Sequence, residues 1–181
     1  ILSIMILAHH IFQISGIEER YGHIIYYMFI SLGYISVSVF YFISGYGLTC
    51  KDKKKEHYDI CFFRWFIRNI LPIYCIYIVL NICYASVWIF LDKTIVSDII
   101  LKSLFLGGKC FIKNGWFFQV IILLYVLYGI SRRMKNKLVF LLISVGVYFG
   151  INYYLGRGYW WYVGIFAFVV GVLYSQYRTS I

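Results

Sequence analysis

The stretch IIYYMFISLGYISVSVFYFISGYGLTC, from Ile24 to Cys50, contains no charged residue. The hydrocarbon core of a bilayer is about 30 Å thick and takes roughly 20 apolar helical residues to cross. This run is longer than that, so it predicts a spanning helix that tilts or breaks near Gly45 and Gly47. The rest of the chain keeps the same character. Its 181 residues are 62% hydrophobic and 13% charged, with a single proline, whereas an ordinary soluble domain is about 25% charged. A water-soluble globule of this size leaves too much of its area wet to hide such a composition. Disorder is excluded by the 22% aromatic content, because disordered chains are poor in aromatic residues. The fold class is therefore all-α, a polytopic transmembrane helix bundle forming a single domain over 1–181.

Five further apolar runs flank the first. They are Ile1 to about Ser15, Pro72 to Leu91, Trp116 to about Ser131, Leu138 to Leu155 and about Trp160 to Tyr177, which makes about six spans. The run at Ile1 is short and opens without a polar flank, so the chain is expected to lack its true start. It has no basic n-region or small-residue cleavage site, which argues against a signal peptide. Pro72 suits the first turn of its helix, where the missing N–H would have no partner anyway. Residues 58–71 mix aromatic residues with Arg64 and Arg68, as an interfacial helix does. Residues 92–115 read as a long loop with a short amphipathic stretch (Ile99, Ile100, Leu104 and Phe105).

The net charge of +10 would suit a nucleic-acid binder if it were concentrated on one face. Instead the cations sit in short segments between apolar runs, as they do where charge sets membrane orientation. Eleven of the seventeen Lys and Arg fall in 51–71, 132–137 and 178–181. The positive-inside rule puts those segments in the cytoplasm, so the first helix runs outward. Tyr21, Trp116, Tyr159 and Trp160 fall near the predicted boundaries, as an aromatic belt would. The five cysteines form no CxxC pair and no zinc-like cluster with histidine, so no metal site is expected.

Three features stand out as chemistry. His9 and His10 lie inside the first span, where ionisable groups are costly and usually face a cavity or a partner. Adjacent helical residues point about 100° apart, so one ring can face a site while the other packs. Both could equally be interfacial. Ser44, Gly45 and Tyr46 interrupt an aromatic run, and spacing alone favours small-residue packing between helices there. Arg64 and Arg68, at i and i+4, share a helix face and suit phosphate oxygens. From the sequence alone, anionic lipid headgroups are the favoured partner of such juxtamembrane residues. A transporter with intramembrane histidines and a broken second helix is also compatible, as is a non-catalytic or degenerate helical membrane protein.

Taken together, these segments resemble the integral-membrane acyltransferase-3 family, which O-acylates cell-surface carbohydrates. ILSIMILAHHIF (Ile1 to Phe12) resembles that family's first helix, in which a basic residue stands upstream of a histidine; here it would fall before Ile1. FYFISGY (Phe40 to Tyr46) is similar to its FF-x-x-SG-F/Y signature, and FRWFIRNILPIY (Phe63 to Tyr74) to its F-x-x-R-x-x-R-I-x-P-x-Y element. NGWFF (Asn114 to Phe118), leading into Tyr125, resembles the tryptophan-led start of a later helix. Members carry more spans than six, so a C-terminal portion is expected to be missing as well.

The resemblance implies an acyl-CoA donor, acetyl-CoA being the expected one, bound from the cytoplasm with no metal. The acceptor it implies is a hydroxyl of a cell-surface or exported carbohydrate, in a multi-pass protein of a bacterial-type plasma membrane. His10, with His9 as the alternative, becomes the expected catalytic residue. Arg64 and Arg68 become donor-binding residues. Ser44, Gly45 and Tyr46 are expected to line a passage between the first two helices, with Trp116 walling the acceptor side. The expected partners are membrane lipid, acyl-CoA and carbohydrate, and no nucleic acid.

Overall fold

The computed structural model describes residues 2–15, 23–53, 61–91, 103–104, 112 and 114–178. Among them are seven α-helices and no strand: α1 (Leu2–Ile14), α2 (His23–Lys53), α3 (Phe62–Asn69), α4 (Leu71–Phe90), α5 (Trp116–Ser131), α6 (Lys137–Tyr154) and α7 (Phe166–Arg178), with a 3₁₀ turn at Tyr159–Trp161. Among the described residues, four stretches are long and apolar enough to cross a membrane: Tyr26–Lys53, Leu71–Phe90, Lys137–Tyr154 and Tyr159–Arg178. The first and fourth expected spans are shorter apolar helices, Leu2–Gln13 and Trp116–Ser131. Of the tilt or break expected near Gly45 and Gly47, no break is present, because α2 runs unbroken through both. The last span is not helical throughout. Its N-terminal end is the 3₁₀ turn, and Gly164 (φ +80°) lies against Ser38 Oγ, in a backbone region that disfavours a side chain.

The chain divides into two compact units, residues 1–58 with 138–181, and residues 59–137. In the first, α2 is the central element. Its hydroxyls would be costly in hydrocarbon, and they bond back to their own helix: Ser36 Oγ to Leu32 O (2.7 Å), Ser38 Oγ to Tyr34 O (2.8 Å) and Thr49 Oγ1 to Gly45 O (2.9 Å). This i−4 pattern removes the polar liability without a tertiary partner. α1 packs along the early part of α2, with Phe12 stacked on Phe29 at 3.5 Å between ring centroids. α7 packs along the later part through reciprocal glycines. A Cβ on Gly45 would strike the Phe168 carbonyl, and one on Gly171 would strike that of Phe42. Such close backbone approach is how membrane helices gain dispersion energy when hydrocarbon offers no hydrophobic drive. α6 meets the segment leading into α7 through Phe149, 5.0 Å from Tyr162 and 6.0 Å from Phe166.

In the second unit α3 leads into α4 with almost no interruption. Ile70 N–H donates to Phe66 O (2.8 Å) and Tyr74 N–H to Ile70 O (3.0 Å), so the helical ladder brackets Pro72, which occupies the first turn of α4 as expected. The expected helix within 58–71 is present as α3. It buries Trp65 and Asn69, and Trp65 fills a notch at Gly129 of α5, where a Cβ would lie 2.6 Å from the indole. Trp65 also stacks near Tyr128 at 6.0 Å. Arg132 lies 5.7 Å from the Trp65 ring and Arg133 5.5 Å from that of Phe62, both within cation–π range. Of the amphipathic stretch expected in 92–115, only Leu104 is among the described residues. Tyr21 and most of the segments 16–22 and 92–111 also lie outside them.

Candidate functional site

The histidine doublet is split in the way that helix geometry requires. His9 is 7% exposed and points into the α1–α2 contact. Its Nδ1–H donates to the Phe29 carbonyl at 3.3 Å, and its ring stands edge-on to those of His10 (5.0 Å) and Tyr34 (5.9 Å). Gly33 is what admits the ring, since a Cβ there would lie 2.5 Å from His9 Cγ. His10 is half-buried and turns back on its own helix, with Nδ1 3.2 Å from Gln13 Oε1. The better-fixed imidazole is thus the one that the sequence ranked second. A carbonyl accepts but cannot donate, so the His9 contact requires the proton on Nδ1, and in the neutral ring Nε2 then keeps its lone pair. That is the protonation state of a general base or nucleophile.

Tyr34 continues this aromatic line outward, with its ring 5.2 Å from Tyr159. Beyond it, Arg157 bonds Asn152 Oδ1 at 3.2 Å and lies 5.0 Å from the Trp161 ring. This end of the first unit is tied down by both charge and aromatic contact.

The three residues of the SG-F/Y signature face different things. Gly45 is buried against α7, with Phe168 and Val172 nearest to where a side chain would stand. Ser44 is partly exposed. The Tyr46 hydroxyl accepts from Arg178 Nη1 at 2.9 Å, and its ring lies 5.9 Å from Tyr174. Gly45 is therefore spent on the α2–α7 crossing. Nearby, Lys53 Nζ donates to the Ser175 carbonyl at 2.8 Å. A cation there satisfies the terminal acceptors of α7 and offsets the negative end of its dipole.

In the second unit Arg64 and Arg68 lie on the exposed side of α3, beside exposed Phe63 and Ile67. Neither arginine makes a hydrogen bond or an ion pair among the described residues. Their guanidiniums are available to an anionic ligand, and i, i+4 spacing puts them on one face. Trp116 opens α5, half-buried and edge-on to Phe117 at 6.2 Å. The described residues contain no group of three or more potential metal ligands.

One cluster escaped the reading of the sequence. Tyr77, Asn81, Ser103 and Gln119 are all at most 5% exposed and bond to one another. Ser103 Oγ lies 2.7 Å from the Tyr77 hydroxyl and donates to Asn81 Oδ1 at 3.1 Å. Gln119 Nε2 donates to the Tyr77 hydroxyl at 3.3 Å, and the Tyr74 hydroxyl donates to Leu104 O at 2.8 Å. The available signal was Tyr77 and Asn81 at i, i+4 in an apolar span, with Gln119 in another. Their partner in the intervening segment had no signal of its own.

Long apolar helices, back-bonded hydroxyls and glycine-mediated crossings define a polytopic helical membrane protein. The family described as "Acyltransferase domain" (acyltransferase-3) matches the chain over residues 1–181. The chain belongs to that family and is a membrane acyltransferase. No curated protein and no solved structure matches it.

Proposed function

We propose that the protein transfers an acyl group, acetyl in the expected case, from cytoplasmic acyl-CoA to a hydroxyl of a cell-surface or exported carbohydrate. The observation that carries this reading is the placement of His9, a buried imidazole whose Nδ1 is committed to a carbonyl, which in the neutral ring leaves the lone pair on Nε2. In the proposed step Nε2 takes the proton of the sugar hydroxyl as its oxygen attacks the thioester carbonyl. The C–S bond then breaks, and the imidazolium returns its proton to the departing thiolate. The products are an ester and free CoA, and no outside oxidant or base is required. A positioned general base contributes about 10²- to 10⁴-fold to such a reaction.

The donor's phosphates are assigned to Arg64 and Arg68, whose planar forks suit phosphate oxygens. Ser44 and Tyr46 stay candidates for lining the acyl path, and Trp116 for the acceptor side. The transporter alternative relied on a broken second helix, and α2 is continuous.

The test is acyl transfer by the full-length protein in membranes, from labelled acetyl-CoA to total surface glycan. His9→Ala should lower transfer at least about 100-fold with membrane insertion intact, and His10→Ala by much less. Undiminished transfer in both single variants and in the double variant would reject the histidine mechanism. The opposite ranking would return the role to His10. Arg64→Gln with Arg68→Gln should raise the KM for acetyl-CoA rather than lower kcat.

A further inference from the structure

We infer that Gly33 and the Phe29 carbonyl are positioning elements for the His9 imidazole, and that together they fix its tautomer. This inference rests on the proposed role of His9. In a helix Phe29 O already accepts the N–H of Gly33, four residues on. A carbonyl has a second lone pair, but an ordinary side chain at position 33 would cover it. Gly33 leaves it open. The three atoms nearest to a Cβ built there all belong to His9: Cγ at 2.5 Å, Nδ1 at 2.6 Å and Cδ2 at 2.8 Å. The ring therefore lies in the space that a side chain would fill, and only in that place does Nδ1 reach Phe29 O at 3.3 Å.

Tyr34, one residue on, closes the other side at 5.9 Å. The imidazole is thus held by a hydrogen bond, a backbone floor and an aromatic wall, all from residues 29–34 of α2. A hydrogen-bonded Nδ1–H is the device that sets which nitrogen of a histidine is basic. Carbon atoms in contact prefer about 3.5–4.0 Å, so adding a methyl at position 33 displaces the ring by about 1 Å. A displacement of that size costs on the order of 10²-fold in a positioned reaction.

The experiment uses full-length protein in membranes, carrying Gly33→Ala, and reads two quantities. One is the kcat and KM for labelled acetyl-CoA. The other is the ¹⁵N spectrum of histidine-labelled protein, with the His9 signals assigned by their loss in His9→Gln. The wild type should show His9 protonated at Nδ1 and bare at Nε2. Gly33→Ala should lower kcat about 100-fold with the KM for acetyl-CoA unchanged, and the His9 pattern should become that of mixed tautomers.

Phe12→Leu serves as the packing control. It removes the Phe12–Phe29 stack and weakens the same helix contact without touching the ring, so kcat per folded molecule should hold. Full kcat in Gly33→Ala, or a wild-type His9 protonated at Nε2, would overturn the inference. An equal loss in Phe12→Leu would overturn it too, by showing that packing alone is at stake. If His9→Ala stays active while the wild type shows the Nδ1–H pattern, the catalytic reading fails and the structural cradle stands.

Discussion

Gly45 and Gly47 are two residues apart on one helix and have opposite surroundings. Nothing lies within 4 Å of a side chain built on Gly47, whereas one on Gly45 would strike the Phe168 carbonyl. Backbone cannot move aside as a flexible side chain can. Gly45→Ala should therefore destabilise the α2–α7 pair by about 1–3 kcal/mol, the usual cost of overpacking. Gly47→Ala should be neutral, or stabilising by up to about 1 kcal/mol from helix propensity. Thermal unfolding of the detergent-solubilised protein, followed by near-UV dichroism, reads the contrast, and equal midpoints for the two variants would refute it.

This pair also shows how much of the site the sequence made legible. The SG motif pointed to small-residue packing, and the packing is there at Gly45. Which glycine packs, and against which helix, depends on α7, about 125 residues away, and no local pattern carries that. The histidines behaved in the same way. Their 100° separation guaranteed that they would differ. Only the open carbonyl at Phe29, exposed by a glycine in another helix, decides which of them is fixed.

α4 was legible as a span from its composition, whereas nothing in the sequence signalled that Ser103, in the segment read as a long loop with a short amphipathic stretch, bonds into it. Ile76, Val79, Ile82, Val87 and Phe90 are all exposed along its length, so hydrocarbon or another apolar surface must cover the whole helix. Tyr77 and Asn81 therefore sit at membrane depth, and Ser103 bonds to both. Phe90 is 13 residues beyond Tyr77, about 20 Å along the axis at 1.5 Å per residue. Polar groups at such depth are tolerated where protein satisfies them, and the Tyr74 and Gln119 side chains donate to the Leu104 and Ser103 carbonyls.

In a chain whose five cysteines are replaced by alanine, Asn81→Cys with Ser103→Cys should therefore crosslink under mild oxidation in intact membranes. A single Ser103→Cys should resist an impermeant maleimide that labels Leu91→Cys at the end of α4. Equal labelling of the two positions would place Ser103 in water outside the bundle. Tyr77→Phe removes the shared hydroxyl and with it the bonds to Ser103 and Gln119, which keep their bonds to Asn81 and to the Ser103 carbonyl. The cost of each lost hydrogen bond is about 0.5–1.5 kcal/mol, and its readout is a lower unfolding midpoint.

At the scale of the whole chain the open quantity is orientation, which a count of cations in the sequence predicts and which contacts within the first unit make more specific. The ends of α2 and α7 lie together, joined by Lys53 on the Ser175 carbonyl and Arg178 on the Tyr46 hydroxyl, so the basic residues that close both helices share one side. α6 has 18 residues and spans about 27 Å at 1.5 Å per residue, so its two flanking segments emerge on opposite faces. Before it or at its first residue stand Arg132, Arg133, Lys135 and Lys137; after it stands Arg157 alone. By the positive-inside rule, the excess of four against one predicts a cytoplasmic turn before α6.

In the same cysteine-free chain, Lys135→Cys should react with an impermeant maleimide only after the membrane is opened, and Arg157→Cys in intact cells. Arg157 is bonded to Asn152 and set against Trp161, so Trp160→Cys, exposed in the same turn, is the safer reporter if Arg157→Cys disturbs the turn. The reverse pattern would invert the protein. It would put the exposed Arg64 and Arg68 outside, beyond the reach of cytoplasmic acyl-CoA, and the donor assignment would fall with it. Labelling of both positions in intact cells would mean that α6 does not cross, despite its composition.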